Sequence, residues 1–279
     1  MASNQQMAPI TSLDFSHPLI MGVVNVTPDS FYDGGAFLDP AAAVDHGRQL
    51  ATEGADILDI GGESTRPGAD PVAPAEELDR VIPVIKGLAG LGVPLSIDTR
   101  HASVMTAALD AGAQIINDVT ALTYDPESLN VAARAKGPIV LMHARGKPKD
   151  MQDAPQYDDV VAEVIAYFKG RLAACQDAGI DENRLILDPG IGFGKALQHN
   201  LALLSGLDAL RALGRPLLLG VSRKSFIDHI TPVPDARDRL PGSLAAALAG
   251  IDQGVHILRV HDVAQTRQAL DVWQAINAS

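Results

Sequence analysis

Short runs of apolar and β-branched residues recur along the chain. Each run ends in polar residues or glycine and is followed by a stretch rich in alanine and leucine. Eight such runs are predicted to be strands: Leu19–Val26, Ala55–Gly61, Pro94–Thr99, Gln114–Val119, Pro138–His143, Arg184–Asp188, Pro216–Ser222 and His256–Val260. Their nearly continuous apolar character indicates burial on both faces, which is typical of a parallel sheet covered by helices.

The stretches between these strands have a helical composition. The predicted helices include Pro40–Glu53, Ala75–Leu88, Ala102–Ala111, Asp158–Ala178, Asn200–Ala212 and Ser243–Gln253. Glycines that favour a left-handed closing conformation follow four of them, at Gly54, Gly112, Gly179 and Gly254. Eight strands alternating with helices over roughly 250 residues predict a single (β/α)8 TIM barrel of the α/β class. The alternative is an open doubly wound sheet, which usually has fewer strands and a GxGxxG sequence after the first.

The barrel is expected to fill residues 1–279 as one domain, with its core at about 19–275 and a polar lead-in at 1–18. We find no uninterrupted apolar run long enough to span a membrane and no secretory signal, so a cytoplasmic location is expected. The 22 basic and 34 acidic residues give a net charge of −12. This charge argues against a general nucleic-acid binder and against docking on anionic membranes. Cys175 is the single cysteine, which excludes a disulfide framework or a multi-cysteine metal site within one chain.

Polar side chains gather at the carboxyl ends of the predicted strands, where barrels carry their chemistry. They are Asn25, Glu63–Arg66, Asp98–Arg100, Asn117, Asp118, His143, Asp188, Ser222–Lys224, Arg259, His261 and Asp262. The amino ends carry almost nothing comparable. This asymmetry predicts an enzyme or a ligand-binding barrel.

Two groups of these side chains suggest particular ligands. Arg259 and His261 lie two residues apart on one strand face, which suits the oxygens of a phosphate, although His261 alone would be an ordinary strand-end residue. Asn25 offers an oxygen to a weakly held Mg²⁺, and a simple turn residue is the equally good alternative.

A second set converges on the barrel mouth from strands three, four, six and seven: Asp98, Asn117, Asp188 and Lys224. A carboxylate can accept two parallel N–H donors from an aminopyrimidinone ring, and Lys224 can balance buried carboxylates. A structural ion-pair network is the alternative.

Other conspicuous features have simpler interpretations. The glycine-rich segment 190–196 lacks the Gly and Ser/Thr that a phosphate-binding Walker loop requires at positions 189 and 196. Cys175 is expected to be a packed apolar residue, and the histidines without a partner pattern are expected on the surface or in packing: His46, His101, His199, His229 and His256. The long segments 27–39 and 64–74 are predicted to be lids, with Phe31 able to cap a flat ring.

The sequence resembles the dihydropteroate synthases along residues 19–263. The first signature is MGVVNVTPDSF at 21–31 with DGG at 33–35, and the second is DIGGESTRPG at 59–68. Further matches are SIDT at 96–99, INDV at 116–119, DPGIGFGK at 188–195, SRK at 222–224 and RVHDV at 259–263. Tyr32 and Ile191 stand where Ser and Phe are common in the family.

The resemblance implies a Mg²⁺-dependent transferase of folate biosynthesis that sulfonamide drugs target. Members condense 6-hydroxymethyl-7,8-dihydropterin pyrophosphate with p-aminobenzoate, through a dissociative step in which pyrophosphate leaves first. It also implies a homodimer. The expected partners are these small molecules, with no nucleic acid and no membrane.

Site residues carried over from the family fall into four overlapping groups. Asp98, Asn117, Asp188, Lys224, Met142 and Phe193 are expected to bind the pterin, and Asp98, Lys224, Arg259 and His261 to be catalytic. Pyrophosphate is expected at Asn25, Thr65, Arg259 and His261, with Asn25 also holding Mg²⁺. The aminobenzoate is expected at Thr65, Arg66, Pro67, Ser222, Phe193 and Phe31. The alternatives are a pterin-binding methyltransferase that uses methyltetrahydrofolate and a non-catalytic pterin-binding homologue.

Overall fold

The computed structural model describes residues 13–27, 40–64, 69–146 and 155–278. Within them, eight parallel strands form one sheet in the order β6-β5-β4-β3-β2-β1-β8-β7. The strands are β1 Leu19–Asn25, β2 Ile57–Gly61, β3 Leu95–Asp98, β4 Ile115–Asp118, β5 Ile139–Met142, β6 Leu185–Asp188, β7 Leu218–Leu219 and β8 Ile257–Val260. A parallel bridge between Leu187 and Leu217 joins the two ends of this order. The sheet therefore closes on itself, which confirms the predicted (β/α)8 TIM barrel.

Helices connect the strands around the outside of this barrel. They are α1 Pro40–Thr52, α2 Pro74–Leu88, α3 Ala102–Ala111, α4 Ser128–Arg134, α5 Val160–Asp177, α6 Leu197–Ser205, α7 Leu207–Arg211, α8 Ser225–Ile230, α9 Leu240–Asp252 and α10 Val263–Asn277. Short 3₁₀ turns span Glu182–Arg184 and Ala236–Arg239. Within the described ranges, none of the helices combines the length and apolar character needed to cross a bilayer.

Most strand boundaries lie within two residues of the prediction, but β7 is much shorter than the predicted Pro216–Ser222. Only Leu218 and Leu219 keep the regular ladder with β8. The chain then turns, because Arg223 adopts a left-handed conformation with φ at +59°. The turn directs Ser222 and Lys224 to the barrel mouth. The residues directly after Leu219 therefore contribute to the pocket and are not paired in the sheet.

The predicted helix Asn200–Ala212 is wrong as a single element. The chain forms two helices, α6 and α7, which meet at Gly206. A side chain at Gly206 would approach the Ala202 carbonyl oxygen and Val161 to 3.2 Å, so glycine allows the close contact with α5 at the break. The four predicted closing glycines all have positive φ, as expected.

Apolar side chains fill both sides of the barrel wall. Residues from the early part of seven strands, all except β3, pack inside the barrel, and Leu13 and Phe15 of the lead-in pack against them. A larger buried cluster lies between the strands and the helices. Because the amino end of the interior is apolar and filled, the carboxyl end is the place where polar side chains converge.

Candidate active site

A pocket of about 470 Å³, including its open mouth, lies at the carboxyl ends of the strands. It is lined by Asp98, Asn117, Val119, Met142, Asp188, Gly190, Ile191, Phe193, Gly220, Ser222, Lys224, Arg259 and His261. The site residues that the resemblance implies between β3 and the end of β8 therefore all line one pocket. Strand closure explains this, because residues distant in sequence end at the same rim. The strand-end residues of this range that do not line the pocket are Thr99, Arg100, Asp118, His143, Arg223 and Asp262.

The floor of the pocket is an ion-pair network around Arg259. Its Nε donates to Asp59 Oδ2 and its Nη2 to Asp98 Oδ2, each at 2.7 Å. The Asn117 amide donates to the same Asp59 oxygen at 3.0 Å. One buried carboxylate thus fixes two predicted ligand-binding side chains, from β4 and β8.

Asp59 is a site residue that the sequence analysis did not single out. It lies in the middle of β2, is fully buried, and its Oδ1 has no hydrogen-bond partner in the described part of the chain. The signal was an acidic residue inside the otherwise apolar strand ILDIG, since buried carboxylates are rare unless paired.

The pKa of the Asp98 carboxyl group is raised. Burial raises its pKa, the charge of Arg259 opposes that rise, and the neighbouring carboxylate of Asp59 adds to it. Burial alone would lower the pKa of Arg259, but the attraction of Asp59 and Asp98 outweighs it and raises that pKa instead. Arg259 therefore stays charged, while Asp98 can exchange a proton near neutral pH.

On another side of the pocket, Asp188 and Lys224 attract each other electrostatically. Burial raises the pKa of Asp188, and the Gly190 N–H, which donates to its Oδ1 at 2.8 Å, opposes the rise, as does Lys224. Burial lowers the pKa of Lys224 to about 8, against the attraction of Asp188. The Lys224 Nζ lies 4.1 Å from the centre of the Phe193 ring, a cation–π contact.

The rim near β7 and β8 contains a serine–histidine contact. Ser222 Oγ lies 3.0 Å from His261 Nδ1 and accepts from the His261 backbone N–H at 3.2 Å. Arg223 binds Asp262 through two bonds of 3.0 and 2.5 Å. These contacts tie the end of β7 to the end of β8 and fix Ser222 and His261 relative to each other.

Other predicted site residues lie elsewhere. Phe31, Thr65, Arg66 and Pro67 are outside the described residues, which omit 28–39 of the first predicted lid, 27–39, and 65–68 of the second, 64–74. Asn25 is half-buried at the end of β1 and does not line the described pocket. At the second segment, Glu63 Oε1 accepts from Arg100 at 2.6 Å and from the Val72 N–H at 3.1 Å, so the described ends of this segment are held together.

Asn25, at the carboxyl end of β1, is the described residue whose chemistry suits a weakly held divalent cation. In the described ranges, no group of three or more His, Cys, Asp or Glu side chains is arranged to hold a metal. Mg²⁺ needs few protein ligands when phosphate oxygens and water complete its octahedron, and the Asn25 carboxamide can supply one oxygen.

Among the residues assigned to packing, Cys175 is buried, and burial raises the pKa of its thiol. His101, by contrast, does have a partner. Its Nδ1 lies 2.7 Å from Oε2 of the fully buried Glu77, behind β2 and β3. His101 is buried, which agrees with a packing residue. The sequence does not reveal its partner, because the two residues are 24 positions apart and only packing of α2 beside α3 brings them together.

A sequence model of the family described as pterin binding enzyme matches residues 21–261 of this chain. The chain belongs to this family. The matched region runs from β1 to the end of β8, so it contains every described residue that lines the pocket. This pterin-binding enzyme is also similar to a dihydropteroate synthase of Neisseria meningitidis serogroup B, with 52% identity over 99% of each chain.

The fold of this chain is likewise similar to solved structures of dihydropteroate synthases. A Xanthomonas albilineans dihydropteroate synthase with 4-aminobenzoic acid superposes with a TM-score of 0.91 at 52% identity, over 96% of each chain. A structure of the enzyme from the same organism in complex with 7,8-dihydropteroate gives a TM-score of 0.87 at 48% identity, again over 96% of each chain.

Proposed function

We propose that this protein is a dihydropteroate synthase, a transferase that joins p-aminobenzoate to a dihydropterin and releases pyrophosphate. The observation that carries the proposal is the pocket itself, in which Asp98, Asn117, Asp188 and Lys224 face one space beside Arg259 and His261. The similarity to dihydropteroate synthases over nearly the whole chain supports it, as do the relatives solved with 4-aminobenzoic acid and 7,8-dihydropteroate.

The pterin is proposed to bind at the floor of the pocket. Asp188 and Asn117 are 6% and 4% exposed, so their polar groups would meet the ring with little competition from water. Asp98 and Lys224 would complete the polar edge, while Met142 and Phe193 would pack on the apolar faces. Since burial keeps the carboxyl pKa values high, a ring that donates hydrogen bonds would favour the charged carboxylates and restore their acidity.

The pyrophosphate is proposed to lie nearer the mouth, at Arg259 and His261, with Thr65 and Asn25. A guanidinium has five N–H donors, and the bonds to Asp59 and Asp98 engage two of those of Arg259. Donors therefore remain for an anion. Asn25 would hold Mg²⁺ there, and the ion, when bound, would neutralise part of the charge on the leaving group.

The aminobenzoate is proposed to occupy the outer part of the mouth. Ser222 and Phe193 are the described residues of this subsite, and Phe31, Thr65, Arg66 and Pro67 would contribute from the adjoining segments. Ser222 resembles an activated nucleophile because it contacts His261. A covalent role is not required, since the pterin carbon already has a leaving group and the arylamine is the nucleophile.

Catalysis would then be largely electrostatic. The carbon–oxygen bond to pyrophosphate breaks, the amine nitrogen forms a bond to the pterin methylene carbon, and the amine loses a proton. Arg259 and His261 would stabilise charge that develops on the departing oxygen, and Asp98 would lie beside the positive centre on the pterin. A methyltransferase releases no pyrophosphate, so the anion site in this pocket favours the synthase over that alternative.

A homodimer in the cytoplasm is part of the same proposal. Val272 and Ile276 on α10 are 56% and 68% exposed, and apolar surface of this kind is available for contact with a second copy. Light scattering that gives twice the mass of one chain would support the dimer, and the mass of one chain would contradict it.

The activity is tested by the substrate dependence of pyrophosphate release. The enzyme with Mg²⁺ is incubated with the pterin pyrophosphate, with p-aminobenzoate, or with both. We expect release only when both are present. Methyl transfer from methyltetrahydrofolate without any pyrophosphate release would favour the methyltransferase, and binding of pterin without turnover would favour a non-catalytic homologue.

A further inference from the structure

Lys195 ends the glycine-rich segment that follows β6 and is 2% exposed. Its Nζ donates to the carbonyl oxygens of Gly190 and Phe193, each at 3.0 Å, and of His143 at 3.2 Å. It also lies 3.0 Å from His143 Nδ1. None of its hydrogen bonds within the described residues is to a carboxylate.

This ammonium group links two neighbouring parts of the barrel. A buried charge is costly unless its hydrogen bonds are satisfied, and the four surrounding acceptors can satisfy the three N–H donors of a lysine. Two acceptors belong to His143, directly after β5, and two belong to the segment after β6. The Nζ therefore ties the β6–α6 segment to the end of the adjacent strand.

Two glycines let this segment lie against β5 at backbone distance. A Cβ at Gly190 would lie 2.0 Å from the His143 carbonyl oxygen, and one at Gly194 would lie 2.1 Å from the Arg145 carbonyl oxygen. Both glycines also have φ near +65°. The glycines therefore serve close packing of two loops around Lys195, whereas in a Walker loop they would surround a phosphate.

The same segment supplies two parts of the pocket. Its Gly190 N–H donates to Asp188, and its Phe193 ring contacts the Lys224 ammonium. We propose that Lys195 is a positioning residue, which holds the β6–α6 segment against β5 and so presets Asp188 and Phe193 for the pterin before it binds. This inference rests on the pterin site proposed above.

The local electrostatics agree with this arrangement. Burial lowers the pKa of His143 to about 3, and Lys195 and Arg145 add to the effect, so the ring is neutral and its Nδ1 can accept a hydrogen bond. Burial also lowers the pKa of Lys195 to about 7, with Asp188 opposing and Lys224 and Arg145 adding to the decrease. Even the neutral amine retains two donors for the surrounding carbonyls.

The test compares Lys195→Met, which keeps the volume and loses all donors, with Lys169→Met on the exposed face of α5. Calorimetry with 6-hydroxymethyl-7,8-dihydropterin should give a dissociation constant that is about 100-fold larger for Lys195→Met and unchanged for Lys169→Met. A loss of this size is expected when hydrogen bonds to the charged Asp188 are misplaced. In Lys195→Ala, added propylammonium should restore binding and propanol should not. A role in packing alone would leave Lys195→Met close to the wild type.

Hydrogen exchange on the unaltered enzyme provides a second measurement if the variants do not fold. The amides of Gly190, Gly192 and Phe193 are hydrogen-bonded, to Asp188, Asn200 and Gly190. Slow exchange in peptides covering 190–196 is expected without ligand. Rapid exchange that slows only with pterin would overturn the inference, as would pterin binding by Lys195→Met equal to that of the wild type. If the wild type fails to bind pterin, the proposed site is wrong and this inference falls with it.

Discussion

Asp59 connects the fold of the barrel to its pocket, and its replacement has a predictable cost. Asp59→Ala removes the acceptor for Arg259 Nε and for the Asn117 amide, at 2.7 and 3.0 Å. Hydrogen bonds to charged groups contribute roughly 1.5–3 kcal/mol each. Arg259 keeps Asp98 as a partner, so we expect the free energy of unfolding to fall by about 3 kcal/mol.

A second substitution separates the charge from the geometry. Both bonds use Oδ2 of Asp59, and Oδ1 has no partner in the described residues. In Asp59→Asn the amide oxygen can take the place of Oδ2, so both bonds persist without the charge. The Asn117 bond then becomes neutral and about half as strong, whereas the Arg259 bond keeps its charged donor. We therefore expect a smaller loss than in the alanine variant.

The assay is urea denaturation, together with calorimetric titration of the pterin. Asp110→Ala on the exposed part of α3 is the matched control and should leave both measurements unchanged. Pterin affinity should fall in the order wild type, Asp59→Asn, Asp59→Ala, because Asn117 loses its orientation. If both Asp59 variants unfold and bind pterin like the control, the reasoning about this network is refuted.

Three further predictions concern other parts of the site. Arg259→Ala should lose most turnover, about 100-fold or more in kcat, measured as pyrophosphate release, and near-normal turnover would contradict its role at the leaving group. Burial holds the pKa of His143 at about 3, below its ordinary 6.5, so the unfolded chain binds a proton that the native chain does not. The contribution of His143 to the free energy of unfolding is therefore fully present above pH 6.5 and falls by up to about 1.4 kcal/mol per pH unit toward pH 3. Urea titrations at pH 6.5 and 5 should show this slope in the wild type and lack it in His143→Gln. Gly190→Ala should lower the melting temperature because its Cβ would collide with the His143 carbonyl, whereas Gly170→Ala, with open space around it in α5, should be neutral or slightly stabilising.

Most of the fold could be predicted because each strand is marked by its own composition. β1 to β6 and β8 begin and end close to the predicted residues. β7 could not be predicted in this way, because Gly220–Ser222 remain apolar enough for a strand while the left-handed Arg223 turns the chain into the site. Likewise, the break at Gly206 depends on a close contact with α5, which no local pattern reveals.

The candidate site was predictable to the extent that polar residues follow strands. Asp98, Asn117, Asp188 and Lys224 were found by that rule, and closure of the barrel brings them together. Asp59 lies within its strand and Lys195 lies in a loop, so the rule missed both. Their partners are up to 200 positions away along the chain, as for Asp59 and Arg259, and only the folded barrel shows which charges meet.

The proposed reaction of this pocket joins a pterin to an arylamine. The most direct test incubates the enzyme with Mg²⁺, 6-hydroxymethyl-7,8-dihydropterin pyrophosphate and p-aminobenzoate, and quantifies 7,8-dihydropteroate by mass spectrometry together with pyrophosphate. The proposed function predicts equal amounts of the two products, with neither formed when p-aminobenzoate is omitted. Pyrophosphate without dihydropteroate, or no product from either substrate mixture, would contradict it.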